Sequence, residues 1–337
     1  MSSISNRVSG VGDRLTMPIR HFWKRMRAVR LRTGVRIAEA VILLLLIYFL
    51  GGMFWIHEID DDPDFAPPIE FMPPRSSHAV AISAALVDRE INRYRWTAND
   101  PFFMPAAVLD NMPSFQQGII AAIARFTIEL TDQIGRTRES SQADPDLEKA
   151  LGLLKYSGRI WVFDFSTSFA PTATSEAQYQ AGVNALQRYN QRLSEGSAVF
   201  DPRADNLFTT LARLETDIGS SSATIERHLN KSHATSSFVP DTLGDDIFYE
   251  VKGRLYAYFL ILRDLQADYH KVIAERHLES SWAQMLETFK TVVELKPLVV
   301  TNGDPDGIML PNHLAVQGFY LLRAITQLRE IKSILLT

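Results

Sequence analysis

A run of 20 mostly apolar residues, Ile37–Ile56, constrains the fold of this chain more than any other feature. As a helix it would be roughly 30 Å long, which matches the hydrocarbon core of a bilayer. Nine Lys and Arg residues and one Asp precede it, whereas six acidic residues and no basic ones lie between it and Arg75. Because basic residues stay on the cytoplasmic side, this pattern predicts a transmembrane helix with a cytoplasmic N terminus.

A cleaved signal peptide is the competing interpretation of the same run. Such a peptide has shorter basic and apolar regions, followed by a cleavage site of small residues. Here 36 residues precede the run, and Trp55 and His57 stand where an interfacial anchor belongs. Since tryptophan is enriched at membrane surfaces, we expect an uncleaved signal anchor in the lipid bilayer.

The segment Met17–Arg36 places apolar residues at helical spacing among cations. This pattern predicts a basic amphipathic helix that lies on anionic lipid or runs straight into the spanning helix. Nucleic-acid binding is the alternative, but a position beside the membrane already accounts for the charge. We therefore expect lipid, and not nucleic acid, as the partner of this segment.

The two ends of the chain differ in charge. The first 36 residues carry a net charge of +8 and the whole chain carries −4, so the remainder carries −12. An acidic domain argues against direct binding to nucleic acid or lipid headgroups. There are no cysteines, which excludes disulfides, thiolate chemistry and cysteine-based metal sites.

Composition divides the chain into four regions: a basic cytoplasmic tail (1–36), the transmembrane helix (37–56), an acidic proline-rich spacer (57–75) and a periplasmic domain (76–337). The paired prolines of the spacer favour an extended chain that could reach roughly 60 Å. Within the domain, the polar stretch 231–242 is a possible boundary between two subdomains.

The domain has the apolar periodicity of helices along most of its length. The clearest pattern is Phe248–Val272, in which two sets of apolar residues repeat every seven positions. Because Leu255–Leu262 is apolar on all sides, this segment predicts the central helix of an antiparallel bundle and not a two-stranded coiled coil. Self-association through the same stripe, giving a homo-oligomer, is the alternative. The predicted fold class is mainly α.

Local signals refine the helical pattern. Asp144 and Pro145 predict the cap and first residue of a helix, and Ser175 with Gln178 predicts a capping box. Only Arg159–Phe165 and Leu298–Val300 resemble strands, and they predict either a minor strand pairing or packed loops.

The loop 96–113 is the most unusual segment, because it combines aromatic residues with Asx and prolyl turns. One hypothesis is a partner-binding surface, since aromatic residues dominate interface hot spots. The other, which we favour, is a plug that closes one end of the bundle, because large aromatic side chains are usually buried. The candidate interaction residues of this loop are Trp96, Asn99, Asp100, Phe102, Phe103, Asp110 and Asn111.

No catalytic or metal-binding pattern is recognisable. The eight histidines form no HExxH motif, and Thr301–Gly307 lacks the first aspartate and the closing glutamate of a calcium loop. The nucleophile elbow and the glycine-rich phosphate-binding loops are absent. Asp264 and Asp268 share a helix face and have the pattern of solvated acids. We therefore predict no catalytic residue, no metal and no cofactor.

Five irregular segments carry a family resemblance: residues 96–118, 135–150, 157–166, 188–196 and 200–207. In this order they resemble segments of a bacterial inner-membrane family catalogued as a domain of unknown function (DUF2333). The resemblance extends from the anchor to the C terminus. It implies a single-span envelope protein of Gram-negative type, in the inner membrane, and it implies no activity and no functional residues.

These observations lead us to expect a membrane-tethered scaffold or adaptor without catalytic activity, which contacts other envelope proteins. The alternative is a periplasmic enzyme or small-ligand receptor acting on cell-wall or lipid material. It would use polar side chains of loops such as Asn99-Asp100 or Asp110-Asn111. A pocket with converging polar groups and perturbed carboxylates favours this alternative, and a filled core with no cleft argues against it.

Overall fold

The computed structural model describes residues 9–135, 142–163, 169–232, 242–297, 299–303 and 311–336. The chain divides into two compact units, Met1–Trp55 and Ile56–Thr337. Most of the described residues are helical, so the predicted fold class, mainly α, is confirmed.

The first unit is made of the long helix α1 (Ser9–Ile56). Its backbone passes through the basic segment Met17–Arg36 without a break, so this segment runs straight into the apolar run. The part Thr33–Ile56 is long and apolar enough to cross a membrane. Most of its large apolar side chains are exposed, as a helix that is covered by lipid requires.

Nine further helices make up the described part of the second unit. They are α2 (His78–Asp88), α3 (Asn111–Glu129), α4 (Pro145–Leu154), α5 (Ser175–Glu195), α6 (Ala204–Ser232), α7 (Thr242–Asp268), α8 (His270–Glu275), α9 (Glu279–Val293) and α10 (His313–Leu335). Single π-helical turns extend α2 through Arg93 and α3 through Ile134. The described ranges contain no strand, and their only isolated β-bridge joins Asn302 to Asn312.

Helix α7 lies at the centre of the second unit and packs against α2, α3, α6, α9 and α10. All eight apolar residues of its heptad pattern are buried, from Phe248 to Val272. The predicted central helix of a bundle is thus confirmed, although the helix breaks at Tyr269, between α7 and α8. Because the stripe is already covered by the same chain, it leaves no exposed face for self-association, and whether the chain forms a homo-oligomer stays a prediction.

The helix ends show where local signals succeed. Asp144 accepts a hydrogen bond from the Asp146 backbone and Pro145 follows it, as predicted. The cap of α5 is Thr174 and not Ser175, because the Ser175 hydroxyl accepts a hydrogen bond from the Ile160 backbone and donates to a carbonyl of the same segment. The predicted capping box is therefore wrong by one residue.

Residues 57–75 do not form a free, extended spacer, and that prediction is wrong. Asp61 is buried and pairs with Lys252 of α7 at 2.6 Å and with Lys296 at 2.7 Å. Asp60 pairs with buried Arg89 at 3.2 Å, and Phe71 joins the apolar core. Acidic residues of this segment thus neutralise cations of the bundle, which fixes the segment to it.

Two further predictions fall on residues that the structure describes only in part. The described residues of Arg159–Phe165 and Leu298–Val300 form loops and not strands, and residues 164, 165 and 298 lie outside the described ranges. The possible boundary at 231–242 also lies almost entirely outside them.

Candidate functional site

An open groove lies between α3 and the first turns of α7. Its larger lobe has a volume of about 540 Å³ and is lined by α3, by α7 and by the segment from Leu154 to Arg159. Its smaller lobe, about 320 Å³, adds residues 97–110 of the aromatic loop. The two lobes share Ser114, Gln117, Arg159 and Asp246, so they lie side by side, and we refer to them together as the groove.

Asp246 lies where the two lobes meet. The Ser114 hydroxyl donates a hydrogen bond to its carboxylate at 3.1 Å. Burial raises the pKa of Asp246 and the nearby Asp110 carboxylate raises it further, whereas Ser114 and Arg159 act in the opposite direction. A carboxylate with such a pKa shift in an open groove is typical of a binding or reactive site.

Asp100 lines the smaller lobe and is held by Arg95. The Arg95 guanidinium donates to both of its carboxylate oxygens, at 3.0 and 3.1 Å. Burial raises the pKa of Asp100, and the charge of Arg95 opposes this shift. The backbone of Arg95 has a φ of +63°, a conformation that costs about 1 kcal/mol or more in a residue other than glycine. The backbone is therefore strained at Arg95, the residue that forms this ion pair.

Gln116 of α3 fixes the start of the aromatic loop. Its side-chain oxygen accepts hydrogen bonds from the backbone and the hydroxyl of Thr97, at 3.1 and 2.9 Å. Its amide nitrogen donates to the Arg95 carbonyl at 2.9 Å and to the buried Glu90 carboxylate at 3.3 Å. These groups are buried, and a buried polar group that loses its hydrogen-bond partner costs free energy. The hydrogen bonds of Gln116 therefore hold the loop in one position.

Trp96 and Asn99 connect the loop to the segment that follows α4. The Trp96 indole donates to the Gly158 carbonyl at 2.7 Å. The Asn99 amide donates to the Ile160 carbonyl at 2.9 Å and to the Glu176 carboxylate at 2.7 Å. Both side chains are buried. They therefore support the loop from within the domain and are not themselves part of its exposed surface.

A row of aromatic side chains lies on the two segments that also contribute Asp100 and Arg159 to the groove; we call Phe102, Phe103, Trp161 and Phe163 the aromatic ridge. Consecutive rings along it meet edge to face, with centroids 5.5 to 5.7 Å apart. Phe102 is 86% exposed, Phe103 46% and Phe163 43%. Exposed aromatic rings in contact with one another form an apolar patch, which marks interaction sites on soluble domains.

The hypothesis of a plug is right for part of the loop and wrong for the rest. Trp96 is buried as expected of a plug, but Phe102 and Phe103 are exposed. Their rings find partners only in each other and in Trp161, because no helix of the described chain covers this end of the loop. The plug therefore consists of the Trp96 end alone.

The remaining predicted site residues lie at the groove or beside it. Asp110 lines the smaller lobe and also accepts a hydrogen bond from the Asn111 backbone at the start of α3. The Asn111 amide, oriented as a donor, lies 2.8 Å from the Asp245 carboxylate. Whether any of the seven residues binds a partner stays a prediction.

Several residues of the site were not predicted: Arg159, Trp161, Phe163, Asp246 and Glu250. Their signals were present but weak. Trp161 and Phe163 belong to a segment that we interpreted as strand-like, and Asp246 and Glu250 are four residues apart on a helix with a much stronger apolar pattern. Polar residues at helical spacing share a face, but only the fold places that face beside the aromatic loop.

Other candidates from the sequence lie away from the groove. Asp268 is not a solvated acid: it accepts hydrogen bonds from Ser77, His78 and Ala79 at the start of α2. Within the described ranges, no three His, Asp or Glu side chains come close enough to hold a metal ion. Residues 304–307 of the loop that resembles a calcium site lie outside these ranges.

The fold and site together define a class: a helical-bundle domain with an open acidic groove and an exposed aromatic ridge, preceded by an apolar helix. The family model of an uncharacterized protein conserved in bacteria (DUF2333) matches residues 75–337, and the chain belongs to this family. No curated protein and no solved structure matches the chain. The resemblance found in the five irregular segments is thus confirmed over residues 75–337, and its extension to the anchor stays a prediction.

Proposed function

We propose that this chain is an adaptor of the bacterial inner membrane, anchored by α1, with its N terminus in the cytoplasm and its helical domain in the periplasm. The charge asymmetry around Ile37–Ile56 supports this orientation. The length and hydropathy of Thr33–Ile56 support the anchor.

The aromatic ridge is the observation that carries the adaptor role. Phe102 alone exposes 86% of its surface, and its neighbours are also partly exposed. Hot spots of protein interfaces are enriched in aromatic residues that become buried on binding. Trp96, Asn99 and Gln116 fix the base of the loop. Because the ridge is already ordered, it loses little conformational entropy when a partner binds, which favours binding.

A small-ligand receptor or enzyme acting on cell-wall or lipid material is the second candidate function. The groove itself favours it, because it brings together Asp100 and Asp246, whose pKa values are both raised by burial. The adaptor is preferred because the groove is open to solvent, whereas small-molecule sites enclose most of their ligand.

The adaptor role is tested by substitution of the ridge. The full-length chain is purified from membranes after mild crosslinking, as wild type and as the double variant Phe102→Ser, Phe163→Ser. The matched control is Phe319→Ser with Leu322→Ser, which replaces two exposed apolar residues of α10.

We expect the amount of crosslinked partner recovered with the ridge variant to fall at least about tenfold, and the amount recovered with the α10 variant to stay unchanged. If neither substitution changes what is recovered, or if the α10 control alone loses the partner, the ridge is not the docking face. If a small molecule copurifies and depends on Asp246 instead, the second candidate function is supported.

A further inference from the structure

We propose, on the basis of the adaptor function, that the groove and the aromatic ridge bind a short polypeptide segment of the partner that carries Arg or Lys residues beside apolar ones. The charges in the groove, the chemistry of the ridge and the open shape of the site support such a partner.

The groove contains more acid than base. Four carboxylates line it, and among the described residues the cations that line it are Lys155 and Arg159, so the net charge of this lining is −2. Two of the carboxylates already have partners outside the groove lining, Asp100 with Arg95 and Glu250 with Arg254. These pairs need no further cation.

Asp110 and Asp246 differ from these two. Neither forms an ion pair with any described residue, both line the smaller lobe, and the negative charge of Asp110 acts repulsively on Asp246, raising its pKa. Among the described residues, the cation that acts on Asp246 is Arg159, which is itself exposed. A cationic side chain between Asp110 and Asp246 would relieve this repulsion, and charge-assisted hydrogen bonds to carboxylates are among the strongest available.

The aromatic ridge suits the same partner. Guanidinium and ammonium groups are attracted to the faces of aromatic rings, and apolar side chains pack on them. The ridge and the groove come from the same two loops, since Phe103 follows Asp100 by three residues and Trp161 follows Arg159 by two. A segment with basic and apolar residues can therefore contact both surfaces at once.

The shape of the site favours a polymer over a small cation. The two lobes together extend from α4 to the aromatic loop and share four residues. A neutral glycan would also fit an open groove with aromatic rings, but it would leave the repulsion between Asp110 and Asp246 without compensation. The observations therefore favour a basic polypeptide segment.

The test uses the full-length chain in nanodiscs of zwitterionic phosphatidylcholine, so that the lipid does not attract the probe. The probe is a fluorescent 12-residue peptide of Arg, Trp, Gly and Ser. Its matched control contains citrulline, a neutral analogue of similar shape, at every Arg position. Binding is measured by fluorescence anisotropy at low and high salt, and chitin-type and muramyl oligosaccharides are added as competitors.

We expect the Arg peptide to bind at least about tenfold more tightly than the citrulline peptide and to lose affinity with salt. The double variant Asp110→Asn, Asp246→Asn should weaken binding by a similar factor, and it keeps a good helix cap at position 110. Arg159→Gln, at an exposed position, should strengthen binding, so the proposal does not depend on one variant that fails to fold. Glu226→Gln on α6 is the control that should change nothing.

Equal affinity for the two peptides, no effect of the groove variants, or preferential binding of an oligosaccharide would overturn the proposal. If the Arg peptide does not bind but the ridge substitutions still abolish recovery of a crosslinked protein partner, the adaptor function stands and only the proposed chemistry of the partner is wrong. If both fail, both proposals are wrong.

Discussion

Gly118 of α3 lies directly against the Glu250 carbonyl oxygen of α7, so closely that a Cβ atom would overlap it. Gly253 of α7 lies in the same way against the carbonyl oxygen of Phe115 in α3. The two helices therefore cross backbone to backbone. Because Ser114 and Gln117 on one helix and Asp246 on the other line the groove, this close crossing sets the distance between its walls.

Substitution of Gly118 by alanine should destabilise the domain strongly. The added methyl group would meet backbone atoms, which cannot rotate away as a side chain can. We expect a loss of about 3 kcal/mol or more in the free energy of unfolding. Chemical denaturation of the full-length chain in detergent measures it.

Gly219→Ala is the control, because it lies in α6 with nothing within 4 Å of the added atom. There, alanine should stabilise the helix by about 0.5–1 kcal/mol. Equal effects at the two positions would contradict the close crossing of α3 and α7.

Loss of Asp61 should also destabilise the domain, because it leaves the ammonium group of Lys252 buried without its carboxylate. Lys252 and Asp61 are both almost fully buried, and a buried charge without its partner costs about 3–5 kcal/mol. We expect Asp61→Ala to lower the free energy of unfolding by that amount.

The neighbouring exposed residue provides the control, and Asp62→Ala should change stability by less than about 0.5 kcal/mol. The double variant Asp61→Leu, Lys252→Met should be more stable than Asp61→Ala, since it removes both charges. If Asp61→Ala behaves like Asp62→Ala, residues 57–75 are not fixed to the bundle.

Asp246→Asn should make the domain more stable at neutral pH. Burial raises the pKa of the Asp246 carboxyl above its usual value of 3.8, so the folded protein binds this proton more tightly than the unfolded chain does. The resulting stabilisation is complete below pH 3.8 and is lost as the pH rises through the raised pKa. Asparagine, which stays neutral, avoids that loss.

The difference in stability between Asp246→Asn and wild type should therefore grow as the pH rises above about 4 and vanish at lower pH. Thermal unfolding over this pH range measures it, with Glu226→Gln as an exposed control. Binding-site residues often lower the stability of the fold. A variant that is less stable than wild type at neutral pH would show instead that the Asp246 carboxylate stabilises the fold.

The absence of cysteine makes the orientation of the chain directly measurable. We expect Glu226→Cys, on the exposed side of α6, to react with a membrane-impermeant maleimide in cells whose outer membrane has been permeabilised. Ser5→Cys, in the basic tail, should react only after the inner membrane is opened with detergent. The opposite pattern would overturn the proposed orientation.

The elements that were predicted from the sequence depend on residues close together in the chain. The heptads of Phe248–Val272 and the cap at Asp144 are local patterns, and both are present in the structure. Prolines and acids made residues 57–75 resemble a free spacer, whereas Asp61 pairs with Lys252, far along the chain. No local pattern contains that information.

The site was predicted only in part for the same reason. The aromatic loop was conspicuous by composition, but the exposure of Phe102 depends on which helices cover it. The groove brings together three separate segments, represented by Asp110, Arg159 and Asp246. The meeting of Asp110 and Asp246 follows from the crossing of α3 and α7, and the glycines that permit it have no distinctive local pattern.

In-cell photo-crosslinking from position 102 shows whether the aromatic ridge docks a partner protein. Phe102 is replaced by benzoylphenylalanine in the full-length chain, and the same replacement at Phe319, also exposed, serves as the control. We predict one discrete crosslinked envelope protein from position 102 and none of that mass from position 319. No product from position 102, or the same products from both positions, would contradict the adaptor function.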